Sequence, residues 1–303
     1  MSIVVLGSIS MDLTTYVPRL PAPGETLFGS HFITVPGGKG FNQALAASRL
    51  GADTKFVGRL GDDAFGAGVR EFLAKESLDI TNLITDPENA SGLAVISVDE
   101  AAENSIIVIS GTNMKHDERD VARAEAAMAN ASVLMLQLET PQKTSFAAAR
   151  IAKEMGVKVM LDPAPAVPLD KEVYELCYLM TPNEGETEIL TGIRPENQTQ
   201  AAEAASILLD RGVDVAVIKL GATGVYFQSA TERGFVQPFK VNAIDTVAAG
   251  DAFNGGVAAA LDDGQPLAEA VRWGAAAGAL ATTRAGASTS MPYRDELLAL
   301  LSQ

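Results

Sequence analysis

The sequence predicts a three-layer α/β/α fold, a mostly parallel sheet with helices on both faces and a small β-sheet standing off it. Three observations carry this. Short, continuous apolar runs rich in β-branched residues recur along the chain, as in strands buried on both faces. Segments of helical period alternate with them, the rhythm of a layered α/β fold. Two stretches break that rhythm with polar–apolar alternation, the mark of a more exposed sheet.

In chain order, Ile3–Gly7 (IVVLG) is the first buried strand. Residues 14–35 then alternate around PAPGET and form the first half of the off-sheet element. A helix over Asn42–Leu50, a strand over Lys55–Gly61 and a helix over Ala64–Lys75 restore the β–α rhythm. Residues 91–110 (SGLAVISVDEAAENSIIVIS) read as two strands joined by an acidic turn, the second half of the exposed element. Helices follow at Glu118–Met128 and Gln142–Met155, around a strand at Val133–Glu139. Strands at Val157–Asp162, Tyr178–Asn183 and Val215–Gly221 flank a helix at Gln200–Arg211. Asp251–Leu261, Leu267–Thr283 and Tyr293–Leu300 close the chain as helices. No repeat, low-complexity linker or internal break interrupts this order, so residues 1–303 form one domain. The exposed element serves as a lid, a dimer surface, or both.

The 303 residues carry a net charge of −15 and no Lys/Arg-rich run. A nucleic-acid partner needs a basic stripe, and an anionic membrane repels such a surface, so both classes are excluded. An anionic small molecule is not, because helix N-termini and a metal ion hold one locally. The single cysteine, Cys177, lies in an apolar run (YELCYLM) and reads as a core thiol in a reducing compartment. MSIVVLGSISMD lacks the features of a signal peptide, and Ala275–Ala281 is too short to span a bilayer. A soluble, cytoplasmic protein is the expectation.

In open α/β sheets ligands sit beyond the carboxyl ends of the strands, and the informative residues fall there. Asp12 in GSISMD either closes an Asx-turn or accepts two hydrogen bonds from a sugar diol. In PGGKGFNQALAASRLG, Gly37, Gly38, Lys39 and Gly40 precede a helix: a plain glycine-rich turn, or a backbone opened to an oxygen-rich ligand. The spacing is not that of a P-loop, which excludes that class of NTPase. Asn183 and Glu186 in TPNEGE give a helix cap with an acidic first turn, or two hard oxygen ligands for a largely hydrated Mg²⁺. Lys219–Phe227 (KLGATGVYF) is a hairpin turn or the floor of a nucleotide site. In DTVAAGDAFNGG, Ala248, Ala249 and Gly250 leave amides uncovered at a helix start, a ready anion site. Asp251 is then either a cap or a base for an attacking hydroxyl.

Together and in this order, GSISMD, PAPGET, GGKGFNQA, RLGDDAFG, LQLETP, DPAPA, TPNEGE, KLGATG, DTVAAGDAFNGG and TRAGASTSMP resemble the ribokinase/PfkB family of carbohydrate kinases, across essentially the whole chain. The resemblance implies a ribokinase-like fold and ATP-dependent phosphorylation of a sugar's primary hydroxyl. D-ribose is the expected acceptor, with another pentose, a deoxysugar or a nucleoside such as pseudouridine as alternatives. It implies Asp251 as general base and the amides of Ala248, Ala249, Gly250 and Asp251 as anion hole. Sugar contacts map to Ser10, Asp12, Gly38, Lys39, Asn42, Glu139 and Asp251. Nucleotide contacts map to Asn183, Glu186, Lys219, Gly221, Gly224 and Gly250, with Mg²⁺ at Asn183 and Glu186 through water. An activating monovalent cation, K⁺, is implied at Asp245, Val247, Ala281, Arg284, Gly286 and Ser290, mostly through carbonyls. The lid is implied to form a homodimer.

Three positions depart from the family pattern. Ser10 stands where Asn is common, Phe41 where the residue is usually small, and Ala275 where a His often flanks adenine. Ser10 and Phe41 are expected to touch the sugar pocket and bear on selectivity. A non-catalytic sugar-binding regulator predicts loss of the base or the anion hole, and both motifs are present. An NAD-dependent oxidoreductase needs G-x-G-x-x-G after the first strand, where Gly7 stands alone.

Overall fold

The computed structural model describes residues 1–101 and 103–303, so Ala102, in the expected acidic turn, lies outside the described residues. In chain order the elements begin β1 (Ser2–Leu6), β2 (Ser10–Tyr16), β3 (His31–Gly37), α1 (Lys39–Arg49), β4 (Thr54–Gly61), α2 (Ala64–Leu73), β5 (Asp79–Asp86), β6 (Gly92–Val98) and β7 (Asn104–Ile109). There follow α3 (Glu118–Ala127), β8 (Ala131–Leu136), α4 (Gln142–Glu154), β9 (Lys158–Leu161), α5 (Lys171–Leu176), β10 (Leu179–Met180), α6 (Glu184–Thr191) and α7 (Gln198–Asp210). The chain ends β11 (Val215–Lys219), β12 (Val225–Ser229), β13 (Arg233–Val236), α8 (Ala249–Asp262), α9 (Leu267–Ala281) and α10 (Arg294–Leu301).

Among the described residues nine strands form the main sheet, ordered β13-β12-β11-β10-β9-β8-β1-β4-β5. Pairing is parallel from β11 through to β5, and β12 and β13 add an antiparallel edge. The six runs read as buried strands make up its centre. Each face of the sheet buries its own core, as a doubly covered sheet requires. Ile3 and Val5 of β1 pack with Phe41 of α1 and Phe253 of α8 on one side. Val4 and Leu6 pack with Phe146 and Ala149 of α4 on the other.

The small sheet has the order β3-β2-β6-β7, with β2 and β6 parallel at its centre. It begins earlier than the polar–apolar alternation suggests, because β2 starts at Ser10 and carries Asp12 on its first turn of pleat. Its outer strand β7 is exposed throughout, with Ile106, Ile107, Val108 and Ile109 all facing solvent. Cys177 is buried and unbridged, its thiol pushed up to about 12 by burial. No helix among the described residues is long and apolar enough to cross a membrane.

Candidate active site

Helix α8 begins without a side-chain cap. Its N-cap is Ala248, held at φ 57°, ψ 12° in the left-handed region, a conformation that costs a residue bearing Cβ about 1–2 kcal/mol. The amide of Ala249 turns back to Thr246 O at 3.3 Å. The amides of Gly250 and Asp251 find no backbone acceptor among the described residues, as the first turn of a helix leaves them. Asp251 is therefore not the cap. It is the third residue of α8, within the first turn, and 6% exposed.

Two glycines in the same motif explain how α8 comes so close to its neighbours. A Cβ at Gly255 would lie 2.5 Å from Ala46 Cβ of α1, and one at Gly256 would lie 3.0 Å from Gly274 Cα of α9. Close approach of α1 lets two consecutive residues reach Asp251: Asn42 Nδ2 donates to Oδ2 at 3.1 Å and Gln43 Nε2 to Oδ1 at 3.1 Å. Gln43 Nε2 also donates to Asp162 Oδ2 at 2.9 Å, just past the end of β9. Asp162 Oδ1 pairs with Lys219 Nζ at 3.2 Å. Burial pushes the Asp251 carboxyl up to about 6; Lys39 and the two amide donors pull it down, and Asp162 adds to the rise. Lys39 is opposed by burial, yet Asp251, Asp162, Glu139 and Glu186 together hold its ammonium above the usual lysine range.

On the side of the small sheet, Asp12 is also pushed up to about 6, by burial first and then by Glu139 and Asp251, against a hydrogen bond from Ser10. Ser10 Oγ donates to Asp12 Oδ1 at 3.2 Å. Gly37 has no room for a Cβ, which would collide with the Asp12 carboxylate. Glu139 Oε2 accepts from Ser8 Oγ at 2.5 Å and from the Lys39 amide at 3.0 Å. Gly38, at φ 94°, makes the turn into α1 that presents this amide.

At the other side Asn183 and Glu186 form a reciprocal capping box. Glu186 N donates to Asn183 Oδ1 at 2.9 Å and Asn183 N to Glu186 Oε2 at 2.8 Å. The capping reading is thus realised, and it fixes the Glu186 carboxylate toward Lys219 and Asp162. Burial raises the Glu186 carboxyl above its ordinary range. Among the described residues no three His, Cys, Asp or Glu side chains gather as a metal cage. The hard oxygens of Glu186 and Asn183 suit a divalent ion that takes its remaining ligands from water and phosphate. Gly221 (φ 50°) and Gly224 (φ 126°) shape the hairpin after Lys219, both in backbone that a side chain would strain.

Asp245 lies behind the helix start. Its Oδ1 accepts from Val247 N and its Oδ2 from Gly286 N, both at 2.9 Å. It ties the loop before α8 to the segment after α9, and no Lys or Arg pairs with it among the described residues. A carboxylate with no cationic side chain paired to it is a hard, anionic oxygen ligand of the kind a monovalent cation takes. Arg284 directs its side chain away, to Glu296, leaving only its backbone for such a role.

Two expectations need correction. Phe41 does not touch the pocket: it is fully buried, edge-on to Phe56 and Phe72 at 6.3 and 6.1 Å. Its neighbours on α1 face Asp251, and about 100° of helical turn per residue carries Phe41 into the core. Ala249's amide is engaged with Thr246, which leaves Ala248, Gly250 and Asp251 as the open donors among the described residues. The residue pattern also passed over Ser8, Gln43, Gln137 and Asp162. Asp162 had a readable signal, as an acid directly after a buried strand in DPAPA.

Residues 1–294 match the model of the pfkB family carbohydrate kinase, and the chain belongs to that family. It is a carbohydrate kinase. A ribokinase of Haemophilus influenzae is 43% identical over 300 residues, 99% of this chain and 98% of that protein. A solved structure of Arabidopsis thaliana ribokinase complexed with ribose and ATP superposes with a TM-score of 0.92 at 31% identity, covering 100% of this chain and 99% of that one. A deoxyribokinase of Salmonella typhi is 33% identical over 303 residues, 100% of this chain and 99% of that protein.

Proposed function

We propose that this kinase transfers the terminal phosphoryl group of ATP to the primary hydroxyl of D-ribose, giving ribose 5-phosphate and ADP. The observation that carries the reading is the buried carboxylate of Asp251 beside the open amides of its own helix. Asp12, Glu139, Asn42 and the Lys39 and Gly38 backbone hold the sugar, with its primary hydroxyl against Asp251. As the hydroxyl oxygen bonds to phosphorus and the bond to ADP breaks, the hydroxyl proton passes to Asp251. A carboxyl raised to about 6 is suited to a base working near neutrality. The amides of Ala248, Gly250 and Asp251 and the ammonium groups of Lys39 and Lys219 stabilise the charge on the moving phosphoryl group. When bound, Mg²⁺ beside Glu186 and Asn183 would neutralise phosphate charge, and K⁺ at Asp245 and the Val247, Ala281, Arg284, Gly286 and Ser290 backbone would strengthen the field at the helix start.

The small sheet closes over the sugar as a lid. Its bare outer strand β7 is an unpaired edge with four consecutive apolar residues, which suits pairing with the lid of a second copy. The enzyme works in the cytoplasm, where ATP is available and a lone buried thiol stays reduced.

A deoxysugar is the second reading. Ser10 already occupies one oxygen of Asp12, leaving that carboxylate less capacity for a vicinal diol. Initial rates with ATP across ribose, deoxyribose, fructose and nucleosides decide between them. Inert ribose with rapid turnover of deoxyribose or a nucleoside overturns the first reading.

A further inference from the structure

Gln43 lies wholly inside the protein, 1% exposed. Both amino hydrogens and the carbonyl oxygen of its amide are engaged by side chains. One Nε2 hydrogen goes to Asp162 Oδ2 at 2.9 Å and the other to Asp251 Oδ1 at 3.1 Å. Its Oε1 accepts from Gln137 Nε2 at 2.7 Å. Turned over, the amide would set its oxygen against two carboxylates, so their presence fixes its direction. That direction in turn requires Gln137 to present its own amino end. Beyond that bond Gln137 is held by packing: its Oε1 is buried and unpaired, and a Cβ on Gly7 would collide with it.

We propose that Gln43 is a positioning residue for phosphoryl transfer, a neutral clamp that holds the orientation of the Asp251 carboxylate, with Gln137 bracing the clamp through the carbonyl oxygen of Gln43. The proposal rests on Asp251 being the base. Asp162 and Asp251 converge on one amino group, and two buried carboxylates this close disfavour each other's charge. A cation between them would quench the base, and a water would leave its direction free. A neutral amide with two hydrogens satisfies both acids while keeping them separate. Asn42, the preceding residue, holds the other oxygen of Asp251, so one turn of α1 fixes the carboxylate at both ends. The charged groups facing Asp251 are Lys39 from α1, Asp162 after β9 and Asp12 from β2, with Lys219 reaching in from β11 to pair with Asp162.

The test is Gln43→Met, close in shape and unable to donate. The kcat should fall about 10- to 100-fold, the worth of a hydrogen bond to a charged group, while sugar KM changes little. The acid limb of kcat/KM should move to higher pH, because a carboxylate that loses a donor holds its proton more tightly; loosened packing alone would not move it. Gln137→Met should shift both quantities in the same direction by less. The double variant should be no slower than Gln43→Met, since Gln137 acts only through Gln43. An unchanged kcat and acid limb in Gln43→Met, or losses that multiply in the double variant, overturn the proposal. If Gln43→Met does not fold, Gln137→Met carries the test, and a wild-type acid limb there overturns it. Asp251→Asn, run alongside, separates the two ideas: an inactive Asp251→Asn with a wild-type-like Gln43→Met removes the clamp and keeps the base.

Discussion

Replacing Asp251 by Asn should abolish most of the activity and stabilise the fold. The catalytic half follows from the role: loss of a general base lowers kcat by about 10²–10⁴. The stabilising half follows from burial. Ionising a carboxyl pushed from 3.8 to about 6 costs the folded state about 3 kcal/mol at neutral pH. The native state binds this proton more tightly than the unfolded chain, so the cost grows as pH rises from 3.8 to about 6 and is constant above. An amide removes it but brings a donor where two donors already converge, Asn42 Nδ2 and Gln43 Nε2. Asn42 can resolve that conflict by turning over, because its Oδ1 is buried without a partner. Two charge-assisted hydrogen bonds become neutral ones, which offsets part of the gain. The net expectation is about 1–2 kcal/mol of added stability, a rise in Tm of ~2–6 °C. Thermal unfolding without ligands at pH 7 and pH 4, alongside single-turnover rates, checks both halves. The gain should vanish near pH 4. Near-wild-type kcat refutes the base, and a lowered Tm at pH 7 refutes the electrostatics.

Other perturbations address the neighbouring parts. Exchanging K⁺ for a large organic cation should depress kcat, and Asp245→Ala should abolish that sensitivity while costing about 2–4 kcal/mol for its two amide contacts; cation titrations and urea melts measure each. Gly255→Ala drives a methyl toward Ala46 of α1, so it should cost about 1–3 kcal/mol by overpacking and lower kcat by moving Asn42 and Gln43. With Asp12 and Asp251 both raised to about 6, kcat/KM should fall below that pH; a limb lying near 4 would show that burial does not raise the acid that controls the rate. Ile107→Asp and Val108→Asp alter opposite faces of the exposed strand β7. At least one should shift sedimentation toward monomer, and a dimer unaffected by both rules out the lid as interface.

The centre of the sheet was legible because its strands are buried on both faces and read as unbroken apolar runs. The edges were not. In β5 (DITNLITD) polar residues interrupt the pattern, and β13 spans only Arg233–Val236. Site residues named from the strand ends, the glycine-rich turns and the family resemblance come together: Asp12, Lys39, Asn42, Glu139, Glu186, Lys219 and Asp251 are linked through bonds or charge. Phe41 failed for a definite reason. A position within a motif says nothing about azimuth, and one step along α1 separates the pocket from the core. Gln43 and Gln137 were passed over because a neutral amide inside an apolar helix or strand carries no sign of its own. Only the fold brings two acids onto one amino group.

On the proposed mechanism, an acidic protein that takes a polyanion solves the binding locally, at the start of α8. Lys39 and Lys219 are each neutralised by carboxylates around them, Lys219 through its pair with Asp162. On that reading, attraction for the moving phosphoryl group rests largely on oriented dipoles: the open amides of Ala248, Gly250 and Asp251 and the axis of α8 behind them. A side-chain cap such as Ser or Asp before that helix would stabilise it by about 1 kcal/mol and would occupy those same amides. Ala248 instead spends about that much in left-handed strain. The uncapped, strained helix start is thus the structural requirement of the anion site, and the buried, unwillingly ionised Asp251 is the same bargain struck with a proton.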